Sequence, residues 1–337
     1  MKLIHGDCLD VMADMSANSV DAIITDPPYY KVKGEAWDNQ WDTPQKFLEW
    51  VGMLCEQFER ILKPNGSLYF FASPKMAARV ECEIGKRFSV LNSIIWRKGA
   101  AGKSSVGRFQ KNKKESLRMW LPETERIIFA EHYGADNIAN GEAGYEAKCD
   151  ELRGFVFEPL RSYLDDEVRR AGWTPGRLND AMGFAPRGMA ETHYFGRSQW
   201  QLPTEPHYTK MRELLGVEYL RREYEDLRRE YEDLRRPFSV TARDQWSDVW
   251  DFDPVKAYPG KHSCEKPLPL LCHIIKASTK PGAVVFDPFT GSGSTGEACH
   301  ILGREFIGVE LCPDNHAKAE RRIAAVKAQE RLFASHE

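Results

Sequence analysis

Hydrophobic and polar positions divide the chain into three regions, 1–148, 149–250 and 251–337. In the outer two regions, apolar runs of strand length alternate with stretches of helical period; the runs lie at 20–25, 67–73, 89–98, 125–131, 283–289 and 305–311. This alternation predicts an α/β fold built on a doubly wound, mostly parallel sheet. We therefore expect the outer regions to form one domain, into which the middle region is inserted.

The middle region is polar, arginine-rich and helical in pattern. Thr174 and Pro175 begin one short predicted helix that Gly183 ends, and a second is predicted at about 188–195. Two short helices joined by a tight turn are typical of a helix-turn-helix, which is a DNA-binding unit. Side chains suited to contacting base edges follow the second helix, at Arg197, Ser198 and Gln199. The alternative is that these side chains are solvated and that the adjacent Trp200 belongs to the core.

A duplicated heptad, REYEDLR at 222–228 and again at 229–235, lies in the same region. Together with Val217 and Leu220, its apolar side chains recur at alternating spacings of three and four residues as far as Leu234. This spacing predicts one amphipathic helix with a coiled-coil-like seam. Because the seam is short, we expect it to pack on its own domain, with a dimer contact as the alternative.

Composition narrows the class of protein. The chain has 337 residues, of which 42% are apolar, and its apolar runs fall short of the roughly 20 residues that a membrane span requires. The opening residues MKLIHGDCLD contain no apolar segment followed by a cleavage site, so a cytoplasmic location is expected. The eight cysteines include no CxxC pair, and we interpret them as reduced packing residues rather than metal ligands.

Charge is distributed unevenly along the chain. A formal net charge of −3 argues against a protein that coats nucleic acid through bulk charge, so only a local patch could bind phosphates. The segment 97–118 is such a patch, because it carries eight lysine and arginine residues against Glu115 alone. We predict a mobile loop that neutralises phosphates, with contacts from Arg97, Lys98, Lys103, Arg108 and Lys111. The alternative is a loop that is merely solvated.

Two motifs carry candidate chemistry. In the run VDAIITDPPYY, an acid, two prolines and two aromatic rings directly follow a predicted buried strand. Pro27 and Pro28 have fixed φ and no backbone donor, so the segment is stiff and presents acceptors such as the Asp26 carboxylate. The second motif, FDPFTGSGSTG, has glycines that let the backbone approach a ligand, and Glu310 at the tip of the next strand could hold two ribose hydroxyls. Alone, this second motif fits a structural turn equally well.

Together, TDPPYY and FDPFTGSGSTG resemble the motifs of S-adenosylmethionine-dependent DNA amino-methyltransferases, which modify adenine N6 or cytosine N4. The order of the motifs, with a recognition region between them, is similar to that of the β group of this family. Further segments match in family order: HGDCLDVM, EAWDNQWD, LKPNGSLYFF, NSIIWRKG and HSCEKP. The resemblance covers about 3–131 and 246–325. In HSCEKP, Ser263 stands where the family has proline, which leaves His262 unassigned as a cofactor contact.

The resemblance implies a methyltransferase domain in two halves, the catalytic half at 1–148 and the cofactor-binding half at 251–337, with DNA target recognition at 149–250. Its catalytic residues are Asp26, Pro27, Pro28 and Tyr29. The residues it assigns to the cofactor S-adenosylmethionine are Asp7, Cys8, Lys266, Asp287, Pro288, Phe289, Gly291, Ser292, Gly293, Thr295, Glu310 and Leu311. Within this set, Asp287 and Lys266 hold the methionine end and Glu310 holds the ribose.

The implied activity is site-specific methylation of adenine N6 in double-stranded DNA, since Asp rather than Ser precedes PPY. Asp26 and the Pro27 carbonyl would hold the amine, and Tyr29 would stack on a base that has left the duplex. No metal ion is needed for this chemistry. The alternatives are cytosine N4 as the target and a non-catalytic DNA-binding regulator on the same fold. A homodimer and a cognate restriction endonuclease are compatible with the resemblance, which specifies neither.

Overall fold

The computed structural model describes residues 1–98, 118, 120, 123–135, 155–242 and 244–334. Over these ranges the chain forms two compact units, Met1–Glu131 with Pro237–Glu337, and His132–Arg236. The first unit contains an eight-stranded sheet; its strands are β1 (Lys2–His5), β2 (Val20–Thr25), β3 (Leu62–Ala72), β4 (Phe88–Lys98), β5 (Thr124–His132), β6 (Val249–Phe252), β7 (Val284–Asp287) and β8 (Glu305–Glu310). The apolar runs predicted as strands correspond to β2–β5, β7 and β8, whereas β1 and β6 were not predicted.

The strand order is β1-β8-β7-β2-β3-β5-β4-β6. Five neighbouring strands run parallel to one another, in the order β1, β8, β7, β2 and β3. The next strand, β5, is antiparallel to β3. In the middle of the sheet, β2 from the start of the chain pairs with β7 from near its end. The carboxyl ends of β1, β8, β7 and β2 therefore lie at one edge, which is where open α/β sheets bind their ligands.

The α-helices within the described ranges are α1 (Cys8–Ala13), α2 (Pro44–Ile61), α3 (Ala77–Ile84), α4 (Glu158–Arg170), α5 (Pro175–Ala181), α6 (Glu205–Leu215), α7 (Tyr224–Leu234), α8 (Leu268–Ser278), α9 (Ser294–Ile301) and α10 (Pro313–Ala334). The start of helix α2 is capped, because the Thr43 hydroxyl accepts the Lys46 N–H at 3.2 Å and Pro44 occupies the first turn. It ends directly at β3, whose third residue, Pro64, is incompatible with a helix interior.

Successive side chains of the central strands pack on opposite faces of the sheet. Ile23 of β2 and Phe70 of β3 belong to one buried cluster with α2 and α3. Ile24 and Phe71 belong to a second buried cluster with α8 and α9. This is the period of two that a strand imposes on its side chains. Helices thus cover both faces, and the predicted doubly wound, mostly parallel fold is confirmed.

The second unit, His132–Arg236, lies earlier in the chain than the predicted region 149–250. This unit ends at Arg236 rather than at residue 250, because β6 pairs in parallel with β4 and therefore belongs to the sheet of the first unit. Phe238 also stacks on Phe129 of β5, with ring centroids 5.8 Å apart. The residues that follow Arg236 therefore belong to the first unit.

The core of the second unit is a separate cluster in which Trp200 is fully buried. The indole Nε1 of Trp200 donates to the Tyr194 carbonyl at 2.9 Å, so the tryptophan is a core residue, as one of the two interpretations of the sequence holds. The first helix of the predicted helix-turn-helix is α5, capped by the Thr174 hydroxyl. In place of the second, predicted at 188–195, there is a short π-helix at Ala190–Tyr194.

The prediction of one long seam helix from Val217 is wrong. Helix α7 begins only at Tyr224, because Leu220 has a left-handed backbone with φ +48° and cannot lie in a right-handed helix. Val217 is 90% exposed and takes no part in packing. Leu227 of α7 is fully buried in the core of the second unit, so the remaining seam packs on its own unit as expected.

Every helix within the described ranges is too short or too polar to cross a membrane. The cysteines in these ranges are free thiols, and the prediction that they are packing residues is wrong for Cys82 and Cys312, which are exposed. Among the described residues, no group of histidine, cysteine and acidic side chains is arranged to hold a metal ion.

Candidate active site

A cavity of about 430 Å³ opens at the edge where the parallel strands of the first unit end. Its wall includes the segments that follow β1, β2, β7 and β8. All predicted catalytic and cofactor-binding residues except Gly293 line it: Asp7, Cys8, Asp26, Pro27, Pro28, Tyr29, Lys266, Asp287, Pro288, Phe289, Gly291, Ser292, Thr295, Glu310 and Leu311. Two motifs that are far apart in the sequence therefore meet at one cavity.

The Asp26 carboxylate is held from two sides. The Tyr29 hydroxyl donates to Asp26 Oδ1 at 2.8 Å, and the Lys266 ammonium forms a short ion pair with Oδ2. The Tyr29 hydroxyl also lies 3.1 Å from Oε2 of Glu125, and the Lys98 ammonium pairs with the other carboxylate oxygen of that glutamate. Burial raises the pKa of Asp26, and the charge of Lys266 opposes that rise.

The glycine-rich loop between β7 and α9 requires its glycines. Gly291 and Gly293 have φ of +51° and +79°, the left-handed region that side chains with a Cβ rarely adopt. A Cβ on Gly293 would also lie 2.9 Å from the Cα of Ala319 in α10, so this helix can approach only a glycine. The loop is thereby fixed by packing on one side, while Gly291 faces the cavity on the other.

Glu310, the last residue of β8, is pinned by backbone donors. Its Oε2 accepts the Gly291 N–H at 2.8 Å, and its Oε1 accepts the Cys312 N–H at 2.9 Å. Each carboxylate oxygen has a second lone pair available for a ligand. Glu310 can therefore hold the glycine loop and still accept hydrogen bonds from two adjacent hydroxyls in the cavity.

Asp287, at the end of β7, is a buried carboxyl group with neutral hydrogen-bond partners. The Thr295 hydroxyl donates to its Oδ2 at 2.7 Å, and the Phe289 N–H donates to its Oδ1 at 3.0 Å. Burial raises the pKa of Asp287 to about 7, since no hydrogen bond it receives carries a full charge. A cationic ligand in the cavity would stabilise the ionised form.

Two predicted cofactor residues also have structural roles. The Asp7 side chain caps α1 by accepting the Leu9 N–H at 2.8 Å, and it still faces the cavity. Cys8 is in the first turn of α1, where burial raises the pKa of its thiol to about 12. We therefore expect Cys8 to be a neutral wall residue rather than a thiolate.

Several residues of the site were not identified from the sequence. Trp50 of α2 lines the cavity and packs against Phe289, with ring centroids 5.7 Å apart. Asp38 is fully buried and fixes the loop after the catalytic segment by accepting the Val32 N–H at 2.7 Å. His262, left unassigned, also lines the cavity. Asp38 lies in the EAWDNQWD segment, whose match to the family could have identified it. Trp50 looks like any apolar position of a helix.

The predicted DNA contacts are less well supported. Arg97 forms an ion pair with Asp251, and Arg197 lies 3.4 Å from Glu158, so each has an acidic partner within the protein. Ser198 and Gln199 are exposed, as base contacts require. Lys98 pairs with Glu125, beside Tyr29 of the catalytic segment. The remaining three, Lys103, Arg108 and Lys111, lie outside the described residues.

The cavity suits a cofactor with a net positive charge. Five carboxyl groups line it, those of Asp7, Asp26, Asp38, Asp287 and Glu310, against the two lysines Lys33 and Lys266. Its volume lies within the range of pockets that bind small molecules, about 300–1,000 Å³. The aromatic pair of Trp50 and Phe289 supplies an apolar wall for a nucleobase or a methionine chain. These features fit S-adenosylmethionine.

Comparisons with known proteins agree with this site. A model of the DNA methylase family N6_N4_Mtase matches residues 20–321. The DNA adenine methyltransferase YhdJ of Escherichia coli (strain K12) is 26% identical over 330 residues, covering 95% of this chain and 82% of the relative. The structure of the M1.HpyAVI-SAM complex aligns with a TM-score of 0.51 at 18% identity, covering 96% of this chain and 98% of that one. The cytosine-N4-specific PvuII DNA methyltransferase aligns with a TM-score of 0.52 at 13% identity, covering 95% and 85%.

The two structural matches show the fold that this chain shares with them, and the family model spans both motifs of the cavity. The predicted enzyme class, DNA methyltransferase, and S-adenosylmethionine as the cofactor of that class are confirmed. The chain belongs to the DNA methylase family N6_N4_Mtase.

Proposed function

We propose that this DNA methyltransferase acts on the N6 amine of an adenine that has been flipped out of double-stranded DNA, within a specific sequence. The observation that carries the proposal is that the Asp26–Tyr29 segment and the glycine-rich loop after β7 line the same cavity. An amine held at the first segment would face a methyl donor held at the second. Such positioning of reactants supplies much of the acceleration in reactions of this type.

The acceptors of the catalytic segment suit an exocyclic amine. The lone pair of this amine is delocalised into the base, so the nitrogen is a poor nucleophile until its hydrogens are held out of the ring plane. The Asp26 carboxylate accepts one N–H bond and the Pro27 carbonyl accepts the other. As the nitrogen gains the methyl group it must lose a proton, which Asp26 is placed to accept.

Tyr29 has two parts with separate roles. Its hydroxyl fixes the orientation of the Asp26 carboxylate through the 2.8 Å hydrogen bond. Its ring lines the cavity, where it can stack on the flipped base. The cost of unstacking and unpairing the base is a few kcal/mol in general, and stacking on Tyr29 offsets part of it.

On the cofactor side, we assign the ribose hydroxyls to Glu310 and the methionine ammonium to Asp287. S-adenosylmethionine supplies an electrophilic methyl group on a sulfonium sulfur. The carboxyl groups around the cavity stabilise its positive charge, and the Trp50–Phe289 pair excludes water from one side. Gly291 lets the backbone approach the cofactor, whereas Gly293 lets the loop pack against Ala319 of α10.

Adenine is favoured over cytosine by the Asp that precedes Pro27-Pro28-Tyr29, and YhdJ is named an adenine methyltransferase. The competing target is cytosine N4, because the PvuII enzyme, which is specific for it, has the same fold. Recognition of the DNA sequence is assigned to the second unit, His132–Arg236. A homodimer, a cognate restriction endonuclease and a cytoplasmic location remain predictions.

The test is to incubate the purified chain with duplex DNA and methyl-labelled S-adenosylmethionine, digest the DNA to nucleosides and identify the labelled nucleoside by mass spectrometry. We expect N6-methyldeoxyadenosine. Asp26→Asn should lower the rate at least about 100-fold, the usual effect of removing a group that stabilises charge in the transition state. Asp14→Asn, at an exposed position after α1, is the matched control and should retain full activity. Label only in N4-methyldeoxycytidine would overturn the adenine assignment.

A further inference from the structure

Four charged side chains form a cluster next to the catalytic segment, and the Tyr29 hydroxyl contacts the two carboxylates among them. Asp26 follows β2, Lys98 ends β4, Glu125 is on β5, and Lys266 precedes α8. Lys266 pairs with Oδ2 of Asp26 and lies 3.5 Å from Oε2 of Glu125. Lys98 pairs with Oε1 of Glu125, and Tyr29 contacts both carboxylates. The sequence resemblance identified Asp26 and Lys266 in this cluster but not Glu125.

Three members of the cluster are largely buried, and they differ in their access to the cavity. The side chain of Lys266 is 8% exposed, that of Glu125 12% and that of Asp26 19%. Asp26 and Lys266 belong to the cavity wall, whereas Glu125 is not among the described residues that line it. Any effect of Glu125 on a bound substrate is therefore exerted through Asp26, Lys266 or Tyr29.

The geometry gives Lys266 a role different from the one inferred by resemblance. Its ammonium is bound to Asp26 and Glu125, rather than directed at the part of the cavity next to Asp287. The ammonium also lies over two aromatic rings, with Nζ 5.5 Å from the ring centre of Tyr29 and 5.1 Å from that of Phe71. A buried ammonium is stable only when it is paired, so the pair with Asp26 is a built feature of the fold.

We propose that Lys266 is a positioning residue that serves as the counter-ion of the catalytic Asp26 carboxylate, and that Glu125 is a second positioning residue that shares this counter-ion and so moderates its effect on Asp26. This inference rests on the proposed function, because it gives Asp26 the role of accepting the target amine. An ionised carboxylate accepts hydrogen bonds on both oxygens, whereas protonation turns one of the two oxygens into a donor. Burial disfavours the ionised form, and the adjacent ammonium opposes that effect.

The two partners act on Asp26 in opposite directions. Lys266 lowers the pKa of Asp26, and Glu125 raises it through the repulsion of like charges. Among the other titratable groups near Asp26, burial lowers the pKa of His262, and it raises that of Cys264. Asp287 takes up a proton near neutral pH for the same reason. Removing Lys266 or Glu125 should therefore shift the ionisation of Asp26 with opposite signs.

The experiment measures the single-turnover rate of methyl transfer to duplex DNA between pH 5 and 9 for Lys266→Met and Glu125→Gln. In Lys266→Met, the acidic limb of the profile should move up by about 1–3 pH units, the usual effect of one opposite charge at this distance. The rate should recover toward that of the unchanged protein at high pH. In Glu125→Gln, the limb should move down. The affinity for S-adenosylmethionine should stay within about threefold in both, since the geometry ties both side chains to the Asp26 cluster rather than to the cofactor.

Two matched controls separate this role from a general loss of stability. Glu59→Gln removes a carboxylate of similar burial that pairs with Arg87 at 2.7 Å. Lys63→Met removes a lysine that pairs with Asp21 at 2.7 Å. Neither residue belongs to the cavity wall among the described residues, and neither variant should move the acidic limb.

A structural role for the cluster predicts lower rates at every pH with an unmoved limb, and that result would overturn the proposal. If the Lys266→Met protein binds S-adenosylmethionine at least tenfold more weakly and its acidic limb does not move, Lys266 is a cofactor-binding residue, as the resemblance implies, and the proposal is wrong. Should Lys266→Met not fold, the direction of the Glu125→Gln shift decides alone, and an upward or absent shift contradicts the proposal.

A second readout does not depend on activity. The ¹³Cγ signal of Asp26 in labelled protein reports its titration directly and should move with the same opposite signs in the two variants. If the unchanged protein methylates no base in DNA, the proposed function fails while this titration still tests the counter-ion. If methylation occurs and the Asp26 signal titrates identically in all proteins, the counter-ion proposal fails alone.

Discussion

Cofactor affinity should depend on pH through Asp287. Burial raises the pKa of this carboxyl group to about 7, so in the free protein it is largely protonated at pH 5.5 and half ionised at pH 7. The methionine ammonium of S-adenosylmethionine favours the ionised form. Affinity should therefore rise with pH until Asp287 is ionised and then level off, which is the sign expected of a group whose pKa falls on binding.

The magnitude follows from the ionised fraction. With a pKa of about 7, about 3% of Asp287 is ionised at pH 5.5 and about half at pH 7, so the dissociation constant should fall about fifteenfold across this interval. At pH 6, binding should release about 0.9 proton, because about nine in ten molecules begin protonated. The interval lies below the usual pKa of an α-amino group, so the charge of the ligand stays constant.

Isothermal titration calorimetry in two buffers of different ionisation enthalpy measures both quantities. Asp287→Asn keeps the shape of the side chain and removes its titration, while His262 continues to titrate in both proteins. The difference between the two proteins therefore isolates Asp287. Equal proton release by the two proteins at pH 6, or equal pH dependence of their affinities, would refute the assignment of Asp287 to the cofactor ammonium. Asp14→Asn serves as a control for the loss of one carboxylate.

Three further predictions concern single side chains. Gly293→Ala should destabilise the first unit by more than about 1 kcal/mol, measured as a lower midpoint of thermal unfolding, because its φ is +79° and the new Cβ would meet Ala319; an unchanged midpoint would show that the loop can relax. Trp50→Ala should weaken S-adenosylmethionine binding about tenfold by removing the ring that supports Phe289, whereas unchanged binding in calorimetry would place the cofactor elsewhere in the cavity. Tyr208→Phe should cost the second unit about 1–3 kcal/mol in chemical denaturation, because the hydroxyl lies 3.0 and 2.8 Å from two backbone carbonyls that would lose their donor; a loss below about 0.3 kcal/mol would contradict that account.

The cavity could be predicted because its main residues follow apolar runs. Asp26 and Asp287 come directly after β2 and β7, and Glu310 ends β8. Parallel strands bring their carboxyl ends to one edge, so residues at these positions meet whatever the length of chain between them. The sequence could not supply the strand order itself, in which β7 lies next to β2. That order depends on packing between distant segments.

Contacts between distant side chains were harder to predict. Glu125 lies in the run ERIIFAE, where it looks like the polar end of a strand, and nothing in that run indicates its proximity to Lys266. The role of Lys266 was inferred from resemblance alone and not from its neighbours. The prediction of one long seam helix is wrong for a local reason, since Leu220 adopts a left-handed backbone conformation that a heptad pattern does not reveal.

The most direct measurement is a crystal structure of the chain with S-adenosylhomocysteine and a short DNA duplex that contains its recognition sequence. We predict a flipped adenine whose N6 donates to Asp26 and the Pro27 carbonyl, with the cofactor sulfur on the far side of that nitrogen and the ribose on Glu310. A cofactor bound away from the glycine-rich loop, or a base that enters without contacting Asp26, would contradict this prediction.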